Sequence, residues 1–134
     1  MSAPSTNQLT IARAPGRISI PIKQLQFTIE GNGRFEELVF TPAEIATCAR
    51  RRDREHALAA RFAAKEACFK ALGTGWARGV SFRQVEVVGV EGERPELRLT
   101  GQAGERAEAL GVRRIHLSLS HELDVAAAMV VLES

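Results

Sequence analysis

Arg61-Phe62-Ala63-Ala64-Lys65-Glu66-Ala67-Cys68-Phe69-Lys70 decides the reading of this chain, because it sets charge into a stretch that should otherwise be buried. A helix advances about 100° per residue, so positions three, four and seven apart share a face. Leu58, Phe62, Phe69 and Leu72 keep that spacing and make one narrow apolar stripe. Lys65 falls in the middle of the stripe, and Glu66 falls at its edge, one turn before Lys70. Ala60, Ala64, Ala67 and Ala71 form a second face with almost no bulk, suited to close packing. A charge held between two such flanks must be paired or must meet a charged ligand. The plainer alternative is an amphipathic helix whose lysines snorkel and whose Glu66–Lys70 pair is solvated.

Working outward, Gly73-Thr74-Gly75 stops this helix and opens a loop through Trp76 to Gly79. Upstream, Thr41-Pro42-Ala43-Glu44 is a helix start, with Thr41 as N-cap, Pro42 in the first turn and Glu44 completing a capping box. That helix is expected to run to about Arg50, and the long one from about Arg54 to Leu72. Arg17 to Ile22 alternates as a strand, while Leu25 to Ile29 fits helix or strand and ends at Gly31-Asn32-Gly33. In the second half, Phe82 to Val90 and Glu96 to Thr100 read as paired strands around Glu91-Gly92-Glu93. Gln102 to Leu110 fits a short helix. Arg114 to Ser120 alternates cleanly, and Val125 to Leu132 is apolar on both faces, as a central strand would be. Residues 1–16 read as a flexible N-terminal arm and 17–134 as a single domain. The fold class expected is α+β, one long helix packed on an antiparallel sheet.

At 134 residues, 45% hydrophobic and 25% charged, the chain has the make-up of a soluble domain able to bury a core unaided. No apolar run approaches the roughly 20 residues of a membrane span. Met1 to Gln8 lacks the apolar centre of a signal peptide, so a cytoplasmic location is expected, with Cys48 and Cys68 reduced. A net charge of +2 and few aromatics argue against nucleic acid. Arg50, Arg51, Arg52 and Arg54 nonetheless cluster, as a solvated turn or as a contact for a phosphate or an acidic partner.

Three features are candidates for a shared site. Lys65, Glu66 and Lys70 suit a metal-bound polyphosphate, since Glu can hold Mg²⁺ while ammonium groups meet phosphate oxygens. Gly73-Thr74-Gly75 lets backbone amides approach phosphate, although any helix exit needs similar glycines. His116, Ser118 and Ser120 line one strand face, with His121 and Glu122 just beyond. They are the wet face of a sheet, or a general base and its orienting carboxylate.

Taken together, Phe40-Thr41-Pro42-Ala43-Glu44-Ile45, Arg61 to Ala67, Lys70 to Gly75, Leu97 to Gly101 and His116 to His121 resemble the holo-acyl-carrier-protein synthase family, the small 4′-phosphopantetheinyl transferases. The likeness runs from about Val39 to Glu133. It implies a transferase that moves the phosphopantetheine arm of coenzyme A onto a serine of an acyl carrier protein, in fatty-acid or polyketide synthesis. By resemblance, Glu66 is a metal ligand for Mg²⁺ and, with Lys70, catalytic. His121 and Glu122 are the proton-handling pair. Arg61, Lys65, Gly73, Thr74, Gly75, His116 and Ser118 line the coenzyme site. A homotrimer with sites between subunits is also implied, as is an acidic carrier that Lys23, Arg50, Arg51 and Arg52 would dock.

The resemblance breaks at the start of the chain. The family opens with a strand of the type Gly-x-Asp-hydrophobic-Val, whose Asp is the other protein ligand for Mg²⁺. Counting back without gaps from Phe40 puts Arg17 there. Either Arg17 turns its fork to the pyrophosphate, or the fold has been repurposed to bind or modify carrier-tethered intermediates without the transfer reaction; a plainer reading of Arg17 is an exposed, purely structural strand residue.

Overall fold

The computed structural model describes residues 15–74, 80–89 and 94–134. The arm expected over 1–16 therefore lies outside the described residues apart from Pro15 and Gly16. Gly16 is buried and opens β1 (Gly16–Pro21). Then follow α1 (Ile22–Gly31), α2 (Phe35–Val39), α3 (Pro42–Ala49) and α4 (Arg54–Leu72). A 3-10 turn at Phe82–Gln84 leads into β2 (Val85–Val88) and β3 (Glu96–Leu99). The chain ends with α5 (Gly101–Ala109), β4 (Arg114–His121) and β5 (Val125–Glu133).

The architecture is mixed helix and antiparallel sheet, as the pattern predicts. β5 is the middle strand of a three-stranded sheet ordered β1-β5-β4, and β2 pairs with β3 in a separate ribbon. Apolar residues on both faces of β5 account for its place, since it has neighbours on either edge and α4 across it. Ile18 pairs with Ala128, which pairs with Leu119, on the face toward α4. Arg17, Met129 and Ser118 share the opposite, exposed face.

α4 lies across the sheet on its alanine face: Ala60, Ala64, Ala67 and Ala71 are all buried. The approach is close enough that a Cβ on Gly16 would stand 1.7 Å from the Ala67 carbonyl oxygen. Only glycine fits there. Leu58, Leu72 and Leu132 are at most 1% exposed, and each such side chain contributes roughly 1.5–3 kcal/mol on burial. β1 runs antiparallel to α4, with Gly16 beside Ala67 and Ile22 clustered with Ala59 and Ala60. Ile18 is therefore level with the middle of the helix, where Glu66 projects.

Three local expectations change. Leu25 to Ile29 resolves as helix within α1, because Ile22 and Leu25 share the face that packs against α4. α2 is an additional turn of helix, held by Phe35 stacking on Phe62 at 5.9 Å. The strand expected from Phe82 starts later, because Phe82 is drawn inward between Phe62 and Phe69. The Glu91-Gly92-Glu93 turn and the loop from Gly75 to Gly79 lie outside the described residues.

Candidate active site

Lys65 is the correction that matters most. It is fully buried, and its Nζ lies 2.7 Å from Glu44 Oε1 while donating to the carbonyls of Phe82 (3.0 Å) and Val85 (2.6 Å). An ammonium group has three protons, and all three are engaged. Lys65 therefore ties α4 to α3 and β2 and does not face a phosphate. Burial pushes its pKa down, with Glu44 opposing that shift. Glu44 also closes the capping box with Thr41 and accepts the Val87 amide at 3.0 Å. The capping box is readable from four residues; the interior pair is not, since its partner is twenty-one positions away.

Glu66 and Lys70 turn to the other side of the helix. Glu66 is half-buried, and desolvation raises its pKa while Lys70 one turn on lowers it. Lys70 is exposed. Beyond it the helix ends in a left-handed Gly73, φ 74°, whose amide donates to Phe69 and Lys70 carbonyls. The Thr74 hydroxyl is buried and finds no partner among the described residues. Gly75 lies outside them. Arg106 on α5 donates to the Leu72 carbonyl at 3.0 Å and so secures the same turn. Arg61 is buried beside α3, one Nη bonding the Ala57 carbonyl and its Nε without a partner among the described residues.

His121 lies elsewhere. It ends β4 in an open cleft of about 720 Å³ with Asp53, His56, Glu122, Leu123, Asp124 and Val125. That cleft is at the N-terminal end of α4. From His56 to Glu66 is ten residues, about 15 Å along the helix at 1.5 Å each. Within one chain, then, the Glu66–Lys70 pair and the His121 region are not brought together. Asp53 and His56 were not foreseen. Asp53 lies 3.8 Å from His121 Nε2, and the His56 ring meets the His121 ring edge-on at 5.4 Å. Only the short loop before α4 and the turn after β4 make them neighbours, so spacing gave no signal.

His116 is five residues back along β4 and meets Glu133 at 3.1 Å. Ser118 shares a shallow cleft of about 310 Å³ with Arg17, Ser19 and Ser120 on the exposed sheet face. Among the four cations expected to dock a partner, Lys23, Arg50 and Arg52 are exposed. Arg51 is instead turned onto Asp53, with contacts of 2.8 and 3.1 Å.

Residues 18–128 match the 4′-phosphopantetheinyl transferase superfamily. The chain belongs to this family. It is 47% identical over 100 residues to the holo-acyl-carrier-protein synthase of Maridesulfovibrio salexigens, spanning 75% of this chain and 80% of that one. Identity to the synthase of a Methylobacterium species is 48% over 118 residues, 84% and 87% of the two chains. The crystal structure of the Neisseria meningitidis synthase superposes with a TM-score of 0.83 at 32% identity, covering 93% of this chain and all of that one. The Helicobacter pylori synthase in complex with coenzyme A gives 0.77 at 26%, covering 90% and 100%.

Against the family's Gly-x-Asp opening, the strand geometry moves the acid's place. Gly16 is the glycine pressed on α4, so the third residue is Ile18, which faces α4 as the pleat requires. Arg17 projects from the opposite face, away from the helix that carries Glu66. Arg17 therefore does not stand in for the acid, and its guanidinium is not at the Glu66 site. No register supplies a carboxylate, because the first acid in the chain is Glu30. Among the described residues no group of three or more acidic, histidine or cysteine side chains is set to hold a metal. A divalent ion at Glu66 would have one ligand from this face of the chain, with water and substrate oxygens completing its shell.

Proposed function

We propose that this chain, a 4′-phosphopantetheinyl transferase acting on acyl carrier protein with coenzyme A as donor, assembles its site from two surfaces. The Glu66–Lys70 face with the Gly73-Thr74 turn takes the coenzyme's diphosphate. The His121 cleft takes the carrier serine. The carrier's hydroxyl oxygen forms a bond to the β-phosphorus, the bond from that phosphorus to the bridging oxygen breaks, and 3′,5′-ADP leaves. His121 accepts the hydroxyl proton. Lys70 and the Thr74 hydroxyl, which has no partner among the described residues, offer donors to phosphate oxygens. A divalent ion bound beside Glu66 would add charge neutralisation.

The observation that carries this reading is the half-buried Glu66 with Lys70 one turn away, in a chain that matches the family along most of its length. The roughly 15 Å of α4 between His56, which adjoins His121, and Glu66 supports a site shared between copies, and the family resemblance favours a homotrimer for that assembly. Lys23, Arg50 and Arg52 offer an acidic carrier of fatty-acid or polyketide synthesis a positive edge. No helix among the described residues is long and apolar enough to cross a membrane. Both cysteines are free and buried, and burial pushes the Cys68 thiol up to about 12, which suits a reducing cytoplasm.

Apo carrier protein incubated with coenzyme A and a divalent salt should gain the mass of one phosphopantetheine. No gain with any carrier or metal would refute the transferase reading. Mixing inactive Glu66→Gln and His121→Ala chains should restore part of the turnover. A mixture as inactive as its components would sink the shared site while leaving the reaction itself standing.

A further inference from the structure

Resting on the reading of His121 as the proton acceptor, we infer that Asp53, and not the adjacent Glu122, is the positioning residue that orients its imidazole. Asp53 Oδ2 lies 3.8 Å from His121 Nε2, and among the described residues no ion pair joins His121 to Glu122. Glu122 uses its amide on the Val125 carbonyl at 2.9 Å to close the β4–β5 turn, and it is exposed. A carboxylate facing Nε2 favours the N–H on that nitrogen and leaves Nδ1 to take the serine proton. The 3.8 Å separation is longer than a hydrogen bond, as catalytic contacts often are before substrate closes on them.

Asp53 is itself held in place. Arg51 grips both its oxygens, at 2.8 Å through Nε and 3.1 Å through Nη2. That contact is the largest cause lowering the Asp53 pKa, so the group is ionised at neutral pH. On the far side His56 buttresses the His121 ring edge-on, its own Nε2 lying 3.3 Å from the Leu123 carbonyl. Among the described residues, the charged and titratable groups around the imidazole are Asp53 with Arg51, His56 on α4, and Glu122 and Asp124 in the turn. An ordinary surface pair of this exposure would contribute little to stability, so a role here must register in turnover.

The test pairs kinetics with the ring ¹⁵N resonances of His121 in the full chain, using coenzyme A and apo carrier. The Asp53 side chain makes no capping hydrogen bond to α4 and Asn matches its size, so Asp53→Asn should fold. It should lower kcat roughly tenfold, part of the 10²–10⁴ that positioned proton transfer supplies, with the carrier KM within about twofold. The ring resonances should shift, and Asp53→Glu should recover part of the rate. In a His121→Ala background Asp53→Asn should cost nothing further, since the pair acts as a unit. Equal loss in both backgrounds, or a shift and rate loss with Glu122→Gln instead, would overturn the assignment. Full turnover by His121→Ala would overturn the proton-acceptor reading itself; a dead His121→Ala with a silent Asp53→Asn would overturn only the role of Asp53.

Discussion

Lys65 in the interior and His121 at the cleft each face a carboxylate, and the two regions treat that pairing in opposite ways. Lys65 and Glu44 are fully buried at 2.7 Å, with every remaining proton and oxygen of the pair engaged by backbone. His121 and Asp53 are each 37% exposed at the side chain and stand 3.8 Å apart. A charge in a low-dielectric interior is tolerated only when all its partners are supplied, and a group so supplied has nothing left for a substrate. A loosely held pair at a cleft contributes little to folding and keeps capacity for chemistry. Glu66 and Lys70 belong with the second kind, although they share a helix with the first.

The sharpest way to break this contrast is at Lys65. Lys65→Ala removes the counter-charge of Glu44 and leaves two interior carbonyls unmet, so urea denaturation should show a loss of about 3–5 kcal/mol. Coenzyme A affinity of whatever remains folded should be unchanged. A stable Lys65→Ala protein that has lost only coenzyme binding would reverse the roles of the two regions.

Glu66 should behave the other way. Glu66→Gln should lower kcat about 100-fold, near 2.7 kcal/mol, without loss of fold by circular dichroism. Stability should even rise. Desolvation raises the folded pKa of Glu66 above its unfolded value, so the stability linked to it is present below the unfolded pKa. It declines as pH increases through the folded value. Gln resembles the protonated form, so the melting temperature at pH 8 should exceed that of the parent, and the gap should close in acid. A lower melting temperature at pH 8 would mark Glu66 as structural.

Those two residues also mark how far the sequence could be read. The extents of α3 and α4, the central place of β5 and the capping box at Thr41 all follow from local periodicity and end signals, which act within a few residues. The opposite fates of Lys65 and Glu66, adjacent in sequence, depend on where α3 and β2 stand, and periodicity around one helix carries no record of that. It placed Lys65 among apolar neighbours but not against Glu44. The gapless count that chose Arg17 failed for a related reason. A shift of one residue in a strand exchanges its two faces, and the contact of Gly16 with Ala67 and the pairing of β1 with β5 fix the register in space. Asp53 and His56 were illegible because a loop and a turn, not a repeat, bring them to His121.

Ile18 offers a smaller and constructive test. If the β1 face toward α4 lacks one ligand, Ile18→Asp should provide it. Manganese binding followed by electron paramagnetic resonance, with coenzyme A present, should tighten about tenfold, or 1.4 kcal/mol. Arg17→Asp, on the exposed face, should leave the affinity where it was. A gain from Arg17→Asp with none from Ile18→Asp would show that the pleat has been assigned to the wrong face.

The smallest effect expected is at Glu122, and it is informative because it is small. Glu122 is next to His121 in sequence, which makes it the natural choice of partner from the chain alone. Its side chain is exposed, and its backbone, not its carboxylate, closes the turn through the Val125 carbonyl. Glu122→Gln keeps that amide, the size of the side chain and the turn, and removes only a charge in open solvent. Turnover should therefore stay within about twofold of the parent, and stability within about 0.5 kcal/mol. A tenfold loss would mean that the hairpin rearranges on binding so that Glu122 reaches the imidazole. The contrast between a closed interior and an adaptable cleft would then hold in a stronger form, because the cleft would change its carboxylate partner when the carrier arrives.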